Sequence, residues 1–295
     1  MSFLRTSYNR IQDAVSQDSL ALPDPSTISS PTSELYSRLP TRGLGDESTL
    51  KHLLDDVIPF LGRSKTSANY YGFVTGGVLP IAEVADNVVT AFDQNVAVHL
   101  PSQSISTVVE DHAFRLLLEL LALSSEEWTG RTFTTGATAA NILGLACGRE
   151  AILRTDGKES AAECGIMAAY RRKGIDGIQV LTAAGHSSLY KAASMVGIGS
   201  GNVIDCGIVA EPWRFDLTLM ETLLKKERMA SIVVVSCGEV NTGRFEAQTS
   251  EMETIRSLCD QYNAWLHVDA GKSKYPLLFY AISVSIRSSR NVIAL

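Results

Sequence analysis

Leu266-His-Val-Asp-Ala-Gly271 places a carboxylate directly after a short apolar run that is typical of a strand. A second stretch, Ala183-Ala-Gly-His-Ser-Ser188, places His186 after another β-like run in the same way. A carboxylate at the end of a buried strand is costly unless it is paired. Asp269 and His186 therefore indicate a ligand site at the strand ends of an α/β sheet.

The segments around these two stretches alternate between β-like and helical patterns. The β-like runs are 178–182, 203–209, 231–236 and 264–268, and the helical runs are 108–123, 141–153, 188–196, 217–227 and 251–262, with Asp216 as an N-cap. This alternation predicts a mostly parallel sheet with helices on both faces. Ligands of such sheets bind at the carboxyl ends of the strands, where His186 and Asp269 lie.

The composition is that of an ordinary globular protein and limits its partners. Of 295 residues, 45% are hydrophobic and 20% are charged, which suits one large α/β domain with or without an appendage. The net charge of −6 argues against binding to nucleic acid. The longest apolar stretch, Tyr275–Ile286, is too short to span a membrane, and the N-terminus lacks the apolar core of a signal peptide. Five cysteines without a CxxC pair are typical of a reducing compartment, so we expect a soluble cytoplasmic protein.

The N-terminal residues 1 to about 48 differ in composition from the rest of the chain. They are rich in Ser, Thr, Pro and Asp, which predicts an extended arm with one helix near Tyr8–Gln17. Such an arm either wraps a partner subunit or is a loose tail.

The segment Phe133-Thr-Thr-Gly-Ala-Thr-Ala-Ala-Asn141 predicts a turn from a short strand into a helix. Its small residues let backbone N–H groups approach an anion at the helix N-terminus, and the hydroxyls of Thr135 and Thr138 add further donors. The segment matches neither the GxxxxGK[ST] nor the GxGxxG pattern. By itself it therefore predicts either a phosphate site or an ordinary tight turn.

A histidine and an aspartate at strand ends suit the binding of pyridoxal phosphate. The imidazole of His186 can stack on a pyridine ring, and Asp269 can pair with a protonated ring nitrogen and keep the ring an electron sink. The alternatives are a structural histidine and, for Asp269, a helix N-cap or a metal ligand. His267 lies on the same face of the strand as Asp269, but the sequence offers no third ligand, so we expect no metal site.

Taken in order, these segments resemble the group II pyridoxal-phosphate-dependent decarboxylases, which include aromatic-amino-acid, glutamate, histidine and diaminobutyrate decarboxylases. The resemblance runs from about Asn69 to Ala270 and also includes Tyr70-Tyr-Gly-Phe-Val-Thr-Gly-Gly77 and the loop Cys237–Arg244. It implies that the phosphate is held by Gly136, Ala137 and Thr138, that Thr242 lies near the cofactor, that His186 stacks on its ring, that Asp269 pairs with its nitrogen, and that Phe73 and Thr75 line the amino-acid pocket.

The resemblance also implies a fold and an activity. The fold is the fold-type I large domain of pyridoxal-phosphate-dependent transferases, working as a homodimer, and the reaction turns an L-amino acid into an amine and CO2. Phe73 is compatible with an aromatic substrate and does not exclude glutamate or diaminobutyrate. The alternatives are another fold-type I enzyme, such as an aminotransferase or a lyase, and a non-catalytic paralogue that binds a full-length subunit.

The chain departs from the family after Asp269. The family carries the cofactor on a lysine further along the chain, whereas the lysines that follow Asp269 here are Lys272 and Lys274. We therefore expect an N-terminal segment over 1–68, a partial cofactor-binding domain over 69–271, and an atypical tail over 272–295 that comes from a retained intron or a shifted frame. A chain of this kind would carry the site half-built, and its activity is open.

Overall fold

The structure of the protein is a computed structural model. It describes residues 2–16, 22–28, 35–62, 70, 77–154, 161–238, 243–244, 247–271 and 291–294. The chain divides into two compact units, Met1–Ala97 and Val98–Leu295. The three predicted segments, 1–68, 69–271 and 272–295, stay a prediction.

The N-terminal unit is helical in its described residues. It contains α1 (Phe3–Ser16), α2 (Gly45–His52), a π-helical turn (Leu53–Val57), a 3-10 turn (Ile58–Phe60) and α3 (Pro80–Ala91). The Oε1 atom of Glu83 on α3 accepts hydrogen bonds from Tyr8 Oη at 2.8 Å and from Gln12 Nε2 at 3.0 Å. The helix predicted near Tyr8–Gln17 is thus present as α1, which is hydrogen-bonded to α3.

The second unit is built on a parallel sheet. Its strands are β1 (Gly177–Thr182), β2 (Val203–Asp205), β5 (Met229–Ser236), β6 (Trp265–Asp269) and β7 (Asn291–Ala294), in the order β2-β1-β5-β6-β7. All four pairings are parallel. The predicted mostly parallel α/β sheet is therefore confirmed.

Helices lie on both faces of this sheet. The helices of this unit are α4 (Ser106–Leu120), α5 (Ala137–Leu153), α6 (Ala161–Cys164), α7 (Ile166–Lys173), α8 (Ser187–Met195), α9 (Leu217–Leu224) and α10 (Thr249–Gln261). Side chains alternate between two cores, as the pleat requires. Leu181, Val233 and Leu266 belong to the core that contains α9 and α10. Val180 and Val234 belong to the core that contains α5 and α8.

Asp216 caps α9 as predicted, because its Oδ1 accepts from the N–H groups of Thr218 and Leu219, both at 3.0 Å. The predicted strand 203–209 is wrong as one element. The chain turns at Cys206, whose N–H donates to Thr182 O and whose C=O accepts from Asp216 N, both at 2.7 Å. β3 (Gly207–Ile208) therefore leaves the sheet and pairs antiparallel with β4 (Glu211–Phe215).

Two further expectations are corrected by the structure. The strand predicted at Phe133 is absent from residues 131–136, which are all described, and α5 begins at Ala137 and not at Asn141. No strand was predicted in the tail 272–295, yet Asn291–Ala294 forms β7 beside β6, with Leu266 opposite Asn291. A four-residue strand is too short to show an alternating pattern, so its partner strand is needed to reveal it. Among the described helices, none has both the length and the apolarity that a membrane span requires.

Candidate functional site

A cavity of about 350 Å³ opens at the carboxyl ends of β1, β5 and β6. Its lining residues are Thr135, Gly136, Ala137, Thr138, Ala139, Ala184, His186, Ser188, Ser236, Gly238, Asp269 and Gly271. The fold thus brings together five residues that the sequence analysis assigned to one site: Gly136, Ala137, Thr138, His186 and Asp269. Phe73, Thr75 and Thr242 lie outside the described residues, as do Lys272 and Lys274.

The N-terminus of α5 forms one wall of the cavity. The first bond of this helix runs from Ala140 N to Gly136 O at 3.1 Å, so the N–H groups of residues 137–139 have no acceptor within the helix. The end of β6 approaches closely, because a Cβ atom on Gly271 would lie 2.9 Å from Ala137 Cβ. This wall presents backbone donors and the positive end of a helix dipole to the cavity.

Asp269 is held in a defined orientation at the end of β6. Its Oδ2 accepts a hydrogen bond from Asn141 Nδ2 at 2.8 Å, and its Oδ1 accepts from Gly271 N at 3.2 Å. Its backbone C=O accepts from Cys237 N at 2.7 Å. The carboxylate therefore lines the cavity with both oxygens already oriented, and it has lone pairs left for a cationic ligand.

His186 is the N-cap of α8, and its ring is fixed by the first turn of that helix. Its Nδ1 accepts from Ser188 N at 3.2 Å and lies 2.8 Å from Ser188 Oγ. The turn before it is tight, since Ala184 has φ of 50° and a Cβ on Gly185 would lie 2.8 Å from Thr182 Cγ2. Only glycine fits the second of these positions without a shift of its neighbours, which explains Gly185.

Three residues of the site were not identified as such from the sequence. Asn141 and His267 are fully buried and lie behind the cavity wall, and Ser188 lines the cavity. His267 Nε2 lies 2.7 Å from Asn141 Oδ1, and Asn141 Nδ2 lies 3.2 Å from Ser188 Oγ. Asn141 could have been identified from the sequence by its position one helical turn after Ala137, because residues four apart lie on the same side of a helix.

The cavity contains one acidic side chain and an imidazole, and no lysine or arginine from the described part of the chain lines it. An anion in this cavity would therefore be bound by backbone N–H groups and by the hydroxyls of Thr135 and Thr138. The described residues contain no group of three or more His, Cys, Asp or Glu side chains that could hold a metal ion. Fold and cavity define an α/β protein in which a helix N-terminus and a carboxylate line the same cavity at the strand ends.

The fold is similar to that of solved amino-acid decarboxylases. The chain is similar to the glutamate decarboxylase domain of a diaminobutyrate-pyruvate transaminase and L-2,4-diaminobutyrate decarboxylase from Vibrio parahaemolyticus (TM-score 0.75, 18% identity, 95% of this chain and 60% of that one). It is also similar to Oryza sativa TDC, solved with PLP and tryptamine (TM-score 0.66, 18% identity, 96% of this chain and 60% of that one). The predicted fold-type I architecture is thereby confirmed.

The sequence comparison agrees with the structural one. Over 167 residues the chain is 28% identical to aspartate 1-decarboxylase of Aliivibrio fischeri, which is 52% of this chain and 30% of that protein. No protein-family model matches the chain. The chain thus spans about three fifths of the solved chains and under a third of the curated relative.

Proposed function

We propose that this protein binds pyridoxal 5'-phosphate in the cavity at the strand ends and decarboxylates an L-amino acid to an amine and CO2. The observation that carries the proposal is the convergence of Asp269, His186 and the N-terminus of α5 on one cavity. Its volume lies within the range of small-molecule sites. The decarboxylases of the same fold support the proposal, and one of them was solved with PLP and tryptamine.

The residues present fit the cofactor at both of its charged ends. The free N–H groups of residues 137–139 and the hydroxyl of Thr138 suit a phosphate dianion. The carboxylate of Asp269 suits a protonated pyridine nitrogen, because it is half-buried and accepts two hydrogen bonds from the described residues, which leaves lone pairs for a cation. The cofactor, when bound, supplies an electron sink for the bond that breaks at the amino acid.

The protein's own contribution would then be binding, orientation and the exclusion of water. Gly136, Ala137 and Thr138 would hold the phosphate, and Asp269 would keep the ring nitrogen protonated. The imidazole of His186 would cover one face of the ring and place its Nε2 on the side where a proton is transferred. We further propose that Phe73 and Thr75 line the amino-acid pocket and that Thr242 contacts the cofactor.

We propose that the working form is a homodimer. Helix α3 carries exposed apolar side chains at Ile81, Val84, Val88 and Val89, and contiguous apolar surface of this kind marks association sites.

Because the chain spans only part of its relatives, the lysine that would carry the cofactor covalently is not assigned to any described residue. Activity of this chain is therefore part of the proposal and is tested separately from binding.

The binding test is a titration of the purified protein with PLP, followed by cofactor absorbance and fluorescence, in the wild type, Asp269→Asn and His186→Ala. We expect saturable binding to the wild type and a strong loss in both variants. Saturable binding that is equally strong in Asp269→Asn would contradict the assignment of the site. Leu116→Ala, an exposed substitution on α4, is the control for nonspecific effects.

The chemical test follows the products from a panel of carboxyl-labelled L-amino acids. Release of labelled CO2 would support the decarboxylase, whereas a keto acid without CO2 would indicate an aminotransferase. Borohydride reduction and peptide mapping would show whether one lysine of this chain carries the cofactor. Scattered labelling of surface lysines, with saturable binding intact, would mean that the chain binds the cofactor without the covalent step.

A further inference from the structure

The orientation of the Asn141 amide follows from its neighbours. The Asp269 carboxylate can only accept hydrogen bonds, so the amide NH2 of Asn141 must face Asp269 Oδ2, which lies 2.8 Å away. The amide oxygen then faces His267 Nε2 at 2.7 Å, and that nitrogen must carry the proton. A fully buried asparagine thereby has its direction decided by two partners on the same strand, β6.

The same logic continues towards His186. The second N–H of Asn141 points to Ser188 Oγ at 3.2 Å, so this oxygen accepts. The Ser188 hydroxyl proton is then available for His186 Nδ1 at 2.8 Å, which also accepts from Ser188 N. Two donors on Nδ1 require an unprotonated nitrogen there, and they leave the proton of a neutral ring on Nε2.

The far end of this chain of bonds is anchored by packing. His267 is fully buried, and a Cβ atom on Gly144 of α5 would lie 2.3 Å from its Cε1. One turn later on the same helix, a Cβ on Gly148 would lie 2.7 Å from Cδ1 of Trp265. Gly144 therefore touches the hydrogen-bonded chain, whereas Gly148 touches an apolar neighbour outside it.

We propose that Asn141 is a positioning residue that sets the geometry of both Asp269 and His186, with its own direction locked by His267. It contacts Asp269 directly and His186 through Ser188, so one buried amide couples the two side chains that would meet opposite features of the cofactor. This inference deepens the proposed function and rests on it for the role of the two side chains. The direction of the hydrogen bonds does not depend on the cofactor.

The first experiment measures PLP affinity and stability together in Asn141→Ala and Ser188→Ala. Loss of the outer-shell partner of a metal ligand typically costs about 10- to 100-fold in affinity, and by analogy we expect a loss of that order in Asn141→Ala. Ser188→Ala breaks one arm, so its loss should be about 2- to 10-fold, and Ser188→Thr, which keeps the hydroxyl, should restore most of it. Wild-type affinity in folded Asn141→Ala would overturn the proposal.

A comparison of the double variant with a triple variant separates positioning from a merely structural role. In a background of Asp269→Asn and His186→Ala, adding Asn141→Ala should cost little further affinity, because the groups that it positions are already altered. An undiminished further loss would mean that Asn141 acts by another route, and would contradict the proposal.

Gly144→Ala and Gly148→Ala form a matched pair that leaves Asn141 itself in place and covers the case in which Asn141→Ala does not fold. Both add one methyl group to α5 against a buried ring of β6, so both should lower stability. We expect Gly144→Ala, which displaces His267, to weaken PLP binding at least about 10-fold more than Gly148→Ala. Equal effects on binding would overturn the link through His267.

Nitrogen-15 NMR of the five histidines in the cofactor-free protein keeps the inference separate from the proposed function. We expect a slowly exchanging Nε2 proton on His267 and an unprotonated Nδ1 on His186, and both signals should change in Asn141→Ala but not in Gly148→Ala. If the wild type does not bind PLP and the signals behave as expected, the proposed function fails and the positioning of Asp269 and His186 by Asn141 stands. Unchanged signals in Asn141→Ala would sink the inference whatever the binding result.

Discussion

The central strands and their carboxyl ends are two regions of one sheet that are held together in different ways. Along β1, the side chains of Ile178, Val180 and Leu181 are fully buried between helices and are held by nondirectional apolar contacts. At the strand ends, Asn141 and Asp269 are held by hydrogen bonds of defined length and direction. The stability of the fold and the geometry of the site therefore depend on separate groups.

The energetic scale of the two regions differs accordingly. Burying one large aliphatic side chain contributes about 1.5–3 kcal/mol, whereas a hydrogen bond in a folded protein contributes about 0.5–1.5 kcal/mol net. The polar cluster therefore adds little to stability for its number of bonds. Its main effect is to orient the donor and acceptor atoms of the site, because a misdirected amide or imidazole cannot present the correct one to a ligand.

The largest effect is expected from breaking the apolar region. Leu181→Ala should lower the free energy of unfolding by about 2–5 kcal/mol, because it leaves a cavity between fully packed neighbours. Urea denaturation followed by circular dichroism measures this. Leu116→Ala, at a side chain that is 66% exposed, should change the same quantity by less than about 0.5 kcal/mol, and an equal loss in both variants would refute the comparison.

The complementary change, Asp269→Asn, should have the opposite profile. It keeps the shape of the side chain and an oxygen for the Asn141 N–H, but it removes the negative charge that a cationic ring nitrogen would meet. We expect PLP affinity to fall by about 2–5 kcal/mol while the free energy of unfolding changes by less than about 1 kcal/mol. Parallel losses in calorimetric binding and in urea denaturation would show that the two regions are not separable.

The same difference explains what could be predicted from the sequence. Strands β1, β5 and β6 were predicted to within a few residues, because each is a short and mostly apolar run that local patterning reveals. Asp269 was found because it directly follows such a run, and His186 because it lies in the turn after one. Asn141 was missed because its partners are distant in the sequence: Ser188 lies 47 residues away and Asp269 lies 128 residues away. No local pattern reports a contact of that separation.

Two errors have the same cause. The end of β2 depends on two hydrogen bonds, one that Cys206 N donates to Thr182 O and one that Cys206 O accepts from Asp216 N. Both partners belong to other elements, so the run 203–209 looked continuous. β7 is recognisable as a strand through its pairing with β6. In both cases a tertiary partner decided a local conformation that the sequence pattern left open.

A smaller effect is expected at the start of α9, which packs in the apolar region and is capped by the side chain of Asp216. Asp216→Ala removes the side chain that accepts from Thr218 N and Leu219 N, and it should lower the free energy of unfolding by about 1 kcal/mol. Asp216→Asn should recover most of this loss, because asparagine is an equally good cap. Thermal denaturation of the three proteins tests the order, and an Asp216→Asn as unstable as Asp216→Ala would contradict capping as the cause.

The smallest effect concerns thiols buried in the apolar region. Burial, with the charges of Asp205 and Asp216, raises the pKa of the Cys206 thiol to about 12, and burial raises the pKa of Cys259 to about 12. Above the ordinary thiol pKa of about 9, the unfolded chain releases these protons while the folded chain keeps them, so the free energy of unfolding should fall as the pH rises from about 9 towards 12. At pH 10 the loss should be below about 1.4 kcal/mol for each thiol. Urea denaturation of the wild type, Cys206→Ala and Cys259→Ala at pH 8 and pH 10 measures this decrease in the free energy of unfolding, which should be smaller in the two variants. An identical decrease in all three proteins would assign the pH dependence to lysines and tyrosines.

Iodoacetamide should label the exposed Cys147 in the native protein at pH 8 and leave Cys206 and Cys259 unmodified until urea unfolds the chain.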